Sequence, residues 1–257
     1  ADGQSVVGYT TSRGAYVWRM GVGREDFEHD GDFRADPTAI SGDGATVVGQ
    51  GSRGSVGYQA FRWSGLGTFQ LLGTLGNYAE SQANGVSGDG SVVVGLAQDS
   101  TGNFGQAFRW TSSGGMQGLG YVRPGSTYST ATAVSRDGST IVGRSRLGGH
   151  TDAYRWTESA GIVALPWLNS LDGSEAFAVN FNGSVIVGDA GSHAAMWRNG
   201  QVSEFLPVQA GLRSLPRSSR GGPPLPLRNS VGRASSLRKR KSPANSSSSA
   251  PLAGRQA

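Results

Sequence analysis

Three histidines and no cysteine are the whole stock of imidazole and thiol groups in this chain of 257 residues. A zinc centre needs three or four closely spaced N or S donors, and a Ser–His–Asp triad needs a histidine with positioned partners. His29, His150 and His193 lie in separate stretches of sequence, so they read as solvated loop histidines, and no cofactor is expected. The densest set of oxygen ligands is Asp26, Glu28, Asp30 and Asp32 around Gly31. Alternate carboxylates with a glycine suit a calcium loop, and Asp26, Glu28 and Asp30 are the metal candidates. The position that should close the loop with a bidentate Glu is Pro37, however, so the cluster reads first as a solvated connection.

Aromatic and arginine side chains offer a second kind of chemistry. Rings present flat apolar faces to sugars, and guanidinium pairs with carboxylates, so Trp167, Tyr121 and Arg123, with Tyr78 and Tyr128, are the candidate ligand contacts. Phe104 and His150 accompany them, and sealing of junctions between structural units is the competing role for the set. Arg62, Arg109 and Arg155 also recur at one phase, but Val17 and Met196 occupy the same phase elsewhere. That substitution pattern fits a packing slot in which Arg lays its stem along a neighbour. No pair of carboxylates stands out for glycoside hydrolysis.

What must position these residues is a repeat. A turn signal falls at Asp2-Gly3, Asp43-Gly44, Asp89-Gly90, Asp137-Gly138 and Asn182-Gly183, at spacings of 41, 46, 48 and 45 residues. A β-branched run then ends in Val-Gly at Gly8, Gly49, Gly95, Gly143 and Gly188, and Ala-x-x-Trp follows at Trp18, Trp63, Trp110, Trp156 and Trp197. Each repeat holds four runs of about five residues without helical period, separated by Gly, Asp, Asn and Ser. In the third repeat they are Gln82–Ser87, Ser91–Gly95, Gln106–Trp110 and Met116–Gly120. Four antiparallel strands in about 45 residues, in tandem, predict an all-β chain of β-propeller-like blades, with a β-solenoid as the competing architecture. About five repeats are present, and since residues 1 to 8 hold a second strand with no first and no sixth copy follows residue 207, the array is expected to be either five blades missing one closing strand or a fragment of a larger ring. In such a blade the loops from strand one to two and three to four share one face and are tight here. The others share the opposite face and vary: from closing Gly to Trp is 10, 14, 15, 13 and 9 residues. Variable loops on a rigid scaffold are where binding concentrates.

The net charge of +5 divides unevenly. Residues 1–212, the repeat domain, carry −5, and residues 213–257 carry +10 with no acidic residue and both lysines of the chain. This Ser/Pro/Arg-rich segment has no apolar pattern and is expected to be disordered. Lysine appears nowhere else, which favours a non-native tail from a frameshift near Gly211 or Leu212 over a basic nucleic-acid arm, and no nucleic-acid partner is expected. No apolar run is long enough for a membrane helix. The chain opens with Ala1 already inside a repeat and reads as a piece of a longer product.

The composite Ala-x-Ala-Val-Ser-x-Asp-Gly-Ser-x-x-Val-Gly, then Ala-Phe-Arg-Trp-Thr, then Gly-Met-x-x-Leu-Gly resembles the bacterial extracellular HAF repeat family, most fully over residues 83–120 and 131–165. The resemblance implies a secreted or cell-surface, outer-membrane-associated repeat protein of autotransporter type, without established catalytic residues. Any membrane contact would run through a separate barrel domain. The family's His-Ala-Phe is here Gln-Ala-Phe at 59–61 and 106–108, Asp-Ala-Tyr at 152–154 and His-Ala-Ala at 193–195, so a role for that histidine does not carry over. The expected function is therefore a non-enzymatic passenger or adhesion module that binds a carbohydrate, surface polymer or protein on its variable-loop face. The alternative is a propeller-type polysaccharide hydrolase or lyase.

Overall fold

The computed structural model describes residues 3–10, 14–26, 33–53, 57–65, 68–167, 173–191, 193–199 and 201–205. These contain no helix and nineteen strands. The first sheet has three strands, β1 (Ser5–Thr10), β2 (Gly14–Arg19) and β3 (Gly23–Asp26). The second has four, β4 (Phe33–Ile40), β5 (Thr46–Arg53), β6 (Gln59–Ser64) and β7 (Thr68–Leu71). The third comprises β8 (Glu80–Val86), β9 (Val92–Gln98), β10 (Gly105–Thr111) and β11 (Gly115–Gly120). The fourth comprises β12 (Tyr128–Val134), β13 (Ile141–Leu147), β14 (His150–Thr157) and β15 (Gly161–Ala164), and one parallel bridge from Gly105 to Tyr128 joins it to the third. The fifth holds β16 (Ser174–Val179), β17 (Val185–Ala190), β18 (His193–Arg198) and β19 (Gln201–Phe205). Every repeat unit is thus an antiparallel meander, here called a blade. Residues 1–211 form one compact unit. The basic segment 213–257 lies outside the described residues.

In the second to fifth repeats the opening turn is made by its own side chains; Asp2 of the first lies outside the described residues. Ser87 Oγ donates to Asp89 Oδ1 at 2.6 Å, Asp89 Oδ1 accepts the Ser91 N–H at 3.0 Å, and Ser87 Oγ accepts the Val92 N–H at 3.0 Å. Ser41/Asp43 and Ser135/Asp137 repeat the pattern, and Asn180/Asn182 build its amide version. The following glycine closes the turn at φ +71°, +73°, +75° and +76° in Gly44, Gly90, Gly138 and Gly183, a conformation L side chains rarely adopt. The repeated Asp is therefore a turn residue. The hydroxyl of Ser87 and the amide of Ser91, which bond to the ionised form, hold the Asp89 carboxyl at about 2, below its ordinary 3.8. Its contribution to stability is present in full above pH 3.8 and fades as pH falls through about 2. Denaturation midpoints measured from pH 5 down to 2 are expected to fall for the wild type and to fall less for Asp89→Asn, which keeps the acceptor oxygen without the charge; equal slopes would refute this role.

In the second to fifth blades the Val-Gly that ends the β-branched run has a steric cause. Opposite it, the first strand carries a β-bulge, between Pro37 and Ala39, Ala83 and Gly85, Ala131 and Ala133, and Ala176 and Ala178. A Cβ on Gly95 would lie 1.9 Å from the Gln82 carbonyl oxygen, and Gly49, Gly143 and Gly188 meet the same obstacle at 2.2, 2.0 and 1.9 Å. From the other side the third-strand aromatic covers the bare backbone, with Phe61 paired to Gly49, Phe108 to Gly95 and Tyr154 to Gly143.

Blades pack face on face by one rule. Val48, Ala60 and Leu72 of the second blade meet Ala83, Val93, Phe108 and Trp110 of the third. Val142, Ala153 and Leu165 of the fourth likewise meet Ala176, Ile186, Ala195 and Trp197 of the fifth. The Phe/Trp face of one blade thus always seats on the Val/Ala face of the blade before it. Two hydrogen bonds repeat at these junctions. The buried hydroxyls of Ser81, Ser129 and Ser174 accept the N–H of Ala60, Ala107 and Ala153 in the preceding blade at 2.8, 3.0 and 3.0 Å. The bulge residues Thr38, Asn84 and Thr132 donate forward to the carbonyls of Ala83, Ala131 and Ala176 at 2.6, 2.8 and 2.6 Å.

Candidate functional site

The loops divide only in part as expected: connections from first to second strand hold five or six residues, and those from second to third strand vary from two to six. Connections from third to fourth strand hold two or three residues, whereas those between blades span 72–79 and 121–127 among the described residues. At this variable end Arg123, in the connection after β11, reaches the third strand of the fourth blade. Its Nε and Nη2 donate to Asp152 Oδ2 and Oδ1 at 2.6 and 2.9 Å, a bidentate pair whose carboxylate is buried and whose guanidinium stays part-exposed. The same guanidinium lies 4.8 Å over the Trp167 ring. His150, at the start of β14, stacks on that indole with centroids 6.1 Å apart and planes 4° from parallel. Trp167 is held in place by its neighbours: Leu165 is buried, and the Pro166 carbonyl accepts the Trp197 indole N–H at 3.0 Å.

The other sequence candidates form two further groups. Tyr78 and Tyr121 share a hydroxyl contact of 3.1 Å across adjacent inter-blade loops, and burial together with Tyr78 pushes the Tyr121 hydroxyl well above its ordinary range. Tyr128 carries the Arg146 guanidinium 4.7 Å above its ring. The five residues therefore form two side-chain groups, Arg123–Trp167 and Tyr78–Tyr121, with Tyr128 in a third. Arg123 has two of its donors engaged by Asp152, so what it offers a ligand is its remaining N–H groups and its charge. Phe104 is half-exposed on a loop capped by Asp99, which accepts the Asn103 and Phe104 N–H groups.

His150 is the residue the sequence reading undervalued, as a solvated loop side chain; it is exposed yet ring-stacked. A carboxylate pair was also not legible. Glu175 and Asp189 stand opposite each other on β16 and β17, and Asp189 Oδ1 accepts the Glu175 N–H at 3.1 Å. Arg144 Nη1 donates to both Glu175 oxygens at 2.7 and 2.6 Å, while burial and the neighbouring Glu175 charge push the Asp189 carboxyl up. The two residues sit 14 positions apart and meet only through strand pairing, which spacing alone does not reveal.

Among the described residues no three His, Cys, Asp or Glu side chains gather as a metal site. Of the calcium candidates Asp26 ends β3 in an ion pair with Arg24 at 2.5 Å, and Glu28 and Asp30 lie outside the described residues. Arg109 takes the packing role expected of its phase, 6.0 Å over Trp156 of the next blade. The tight-turn end holds a shallow concavity of about 360 Å³ with Arg136 and Phe181 on its rim and Ile40, Val86, Val134 and Val179 in its wall.

No protein-family model matches the chain, and no curated protein matches it in sequence. Solved structures do. TolB from Acinetobacter baumannii superposes with a TM-score of 0.52 at 16% identity, over 78% of this chain and 51% of that one. The putative TolB from Agrobacterium tumefaciens gives 0.52 at 15% identity, over 79% and 76%. Puromycin hydrolase gives 0.54 at 15% identity, over 77% and 36%. What is shared is the β-propeller fold. This chain spans about half of the first of these proteins and about a third of the last. At such identities the likeness concerns the fold alone, and function rests on the site.

Proposed function

We propose that this propeller-type domain is a non-enzymatic binding module of about five blades in an open ring, which presents the Arg123–Trp167–His150 stack to a carbohydrate, surface polymer or protein. The observation that carries this reading is Trp167. It lies outside the repeat, part-exposed at the variable-loop end, with a guanidinium over its ring and an imidazole stacked parallel to it. Junction packing does not call for an indole there, since the corresponding inter-blade loops carry none. An aromatic platform with adjacent N–H donors suits sugars and uronic or otherwise acidic polymers. With the HAF-like repeat grammar, this supports a secreted or cell-surface passenger module, attached to an outer membrane through a domain other than this one.

A glycan array is the direct test. Trp167→Ala is expected to lose at least about tenfold in affinity, as befits an aromatic anchor, with smaller losses for Arg123→Ala and Tyr121→Ala. Binding that survives all three changes but disappears on altering Arg136 or Phe181 at the tight-turn end would overturn the assignment. The second reading, a polysaccharide hydrolase or lyase, is favoured by Glu175 and Asp189, one carboxylate paired with Arg144 and the other pushed up by burial and the neighbouring Glu175 charge. It requires turnover that both Glu175→Gln and Asp189→Asn abolish.

A further inference from the structure

Arg62, Arg109 and Arg155 stand at one phase in successive blades, but their head groups are not held alike. Arg62 Nη2 donates to Thr46 Oγ1 at 3.4 Å and Arg155 Nη2 to Thr140 Oγ1 at 3.5 Å, each to the residue at the start of the second strand of its own blade. In the third blade that residue is Val92, which has no hydroxyl to accept. Arg109 accordingly makes no hydrogen bond or ion pair with the described residues, and its Nε is buried without a partner. Arg62 Nε is buried and unpartnered too, yet Arg62 keeps its bond to Thr46. Buried N–H groups ordinarily find an acceptor, so the guanidinium of Arg109 is the one whose donors call for a partner from outside the chain.

Arg109 lines a concavity of about 380 Å³ at the tight-turn end, between the third, fourth and fifth blades. The Arg155 guanidinium, the Trp156 indole, Thr157, Ser159 and Asn182 share the lining. Trp156 is part-exposed where Trp110 of the preceding blade is buried, and the Arg109 guanidinium lies 6.0 Å over its ring. Two cations here face one carboxylate, that of the exposed Glu158. Asp137, beside the pocket in sequence, is engaged by Ser135 and Ser139 of its own turn. A planar fork of N–H donors next to a second positive charge pairs with carboxylate, phosphate or sulfate, and an adjoining indole suits a ring that carries such a group. We propose that this pocket binds an oxyanion, with Arg109 as the pairing donor, Arg155 as the second charge and Trp156 as the apolar wall. It lies at the opposite end of the blades from the Arg123–Trp167 stack, so the two sites stand or fall separately.

Arginine side-chain NMR reads the site directly. Inorganic phosphate, inorganic sulfate and glucuronate, titrated separately, distinguish an anion in solution from a carboxylate on a sugar ring. At least one of them is expected to shift the Arg109 Nε–H resonance while that of Arg62 stays in place. Affinity for that probe, measured by calorimetry, should fall about tenfold or more in Arg109→Met, which keeps an apolar stem without the charge. Val92→Thr should weaken it in the same direction, because the added hydroxyl gives Arg109 the internal partner that Arg62 and Arg155 have. Glu158→Gln should tighten it about twofold to fivefold by removing the opposing charge. Arg123→Ala should leave the Arg109 shift unchanged. An Arg109 resonance that none of the three probes moves overturns the site, as does a shift of equal size at Arg62 or one that disappears in Arg123→Ala. So does unchanged affinity in Arg109→Met, or in Val92→Thr if Arg109→Met loses its β-sheet circular dichroism.

Discussion

Truncating Trp110 to alanine is expected to lower the melting temperature by roughly 6 to 20 °C, the result of losing about 3 to 5 kcal/mol in a unit of this size. The indole is buried between Val48, Ala60 and Leu72 of the preceding blade and Phe108 of its own. Trp63→Ala should behave alike, since that ring closes the junction with Ala15 and Val17. Trp156, less completely buried, should cost less, and Trp18→Ala least, at about 1 to 2 kcal/mol, because much of its ring is already in water. The order of the four thermal melts is the check. A uniform loss at all four positions would contradict junction packing as the source.

Gly95→Ala is the second large effect. The added methyl has backbone rather than a movable side chain in its way, the Gln82 carbonyl at 1.9 Å and the Ala83 Cα at 2.9 Å, so relief requires the bulge to open. Overpacking of this kind costs about 3 kcal/mol, a fall of roughly 6 to 12 °C. Gly149→Ala is the control: nothing lies within 4 Å of its Cβ position and its φ is not in the left-handed region, so its melt should match the wild type. If Gly95→Ala melts with the control, the bulge is not what fixes the Val-Gly pair.

How much of this was readable beforehand depends on the range of the signal. The four strands of the third repeat, expected at 82–87, 91–95, 106–110 and 116–120, are found at 80–86, 92–98, 105–111 and 115–120, because turn chemistry and period-two alternation are local. The Asp-Gly turns were legible for the same reason. The bulge was not: Thr38, Asn84, Thr132 and Phe177 share neither size nor polarity, and only pairing with the next strand shows that one residue is extra. Ser81, Ser129 and Ser174 carry no mark in sequence, since their partners are 21 or 22 positions away in another blade. The candidate site divides in the same way. Trp167 was conspicuous as the indole outside the repeat, but the Asp152 beneath Arg123 is one of eighteen acidic residues and carries no mark in sequence.

The forward hydrogen bonds from Thr38, Asn84 and Thr132 bind the second, third and fourth blades each to its successor, across 45, 47 and 44 residues of chain. Bonds of this span keep contact order modest, and each added blade folds onto a template already present. The second, third and fourth blades each pack against a described neighbour on both faces, so amide protons of β9 and β10, in the middle of the three, are expected to exchange last. The stretch that holds the middle of the array is thus also its kinetic strongpoint, and the loops of the Arg123–Trp167 stack lie on its C-terminal side.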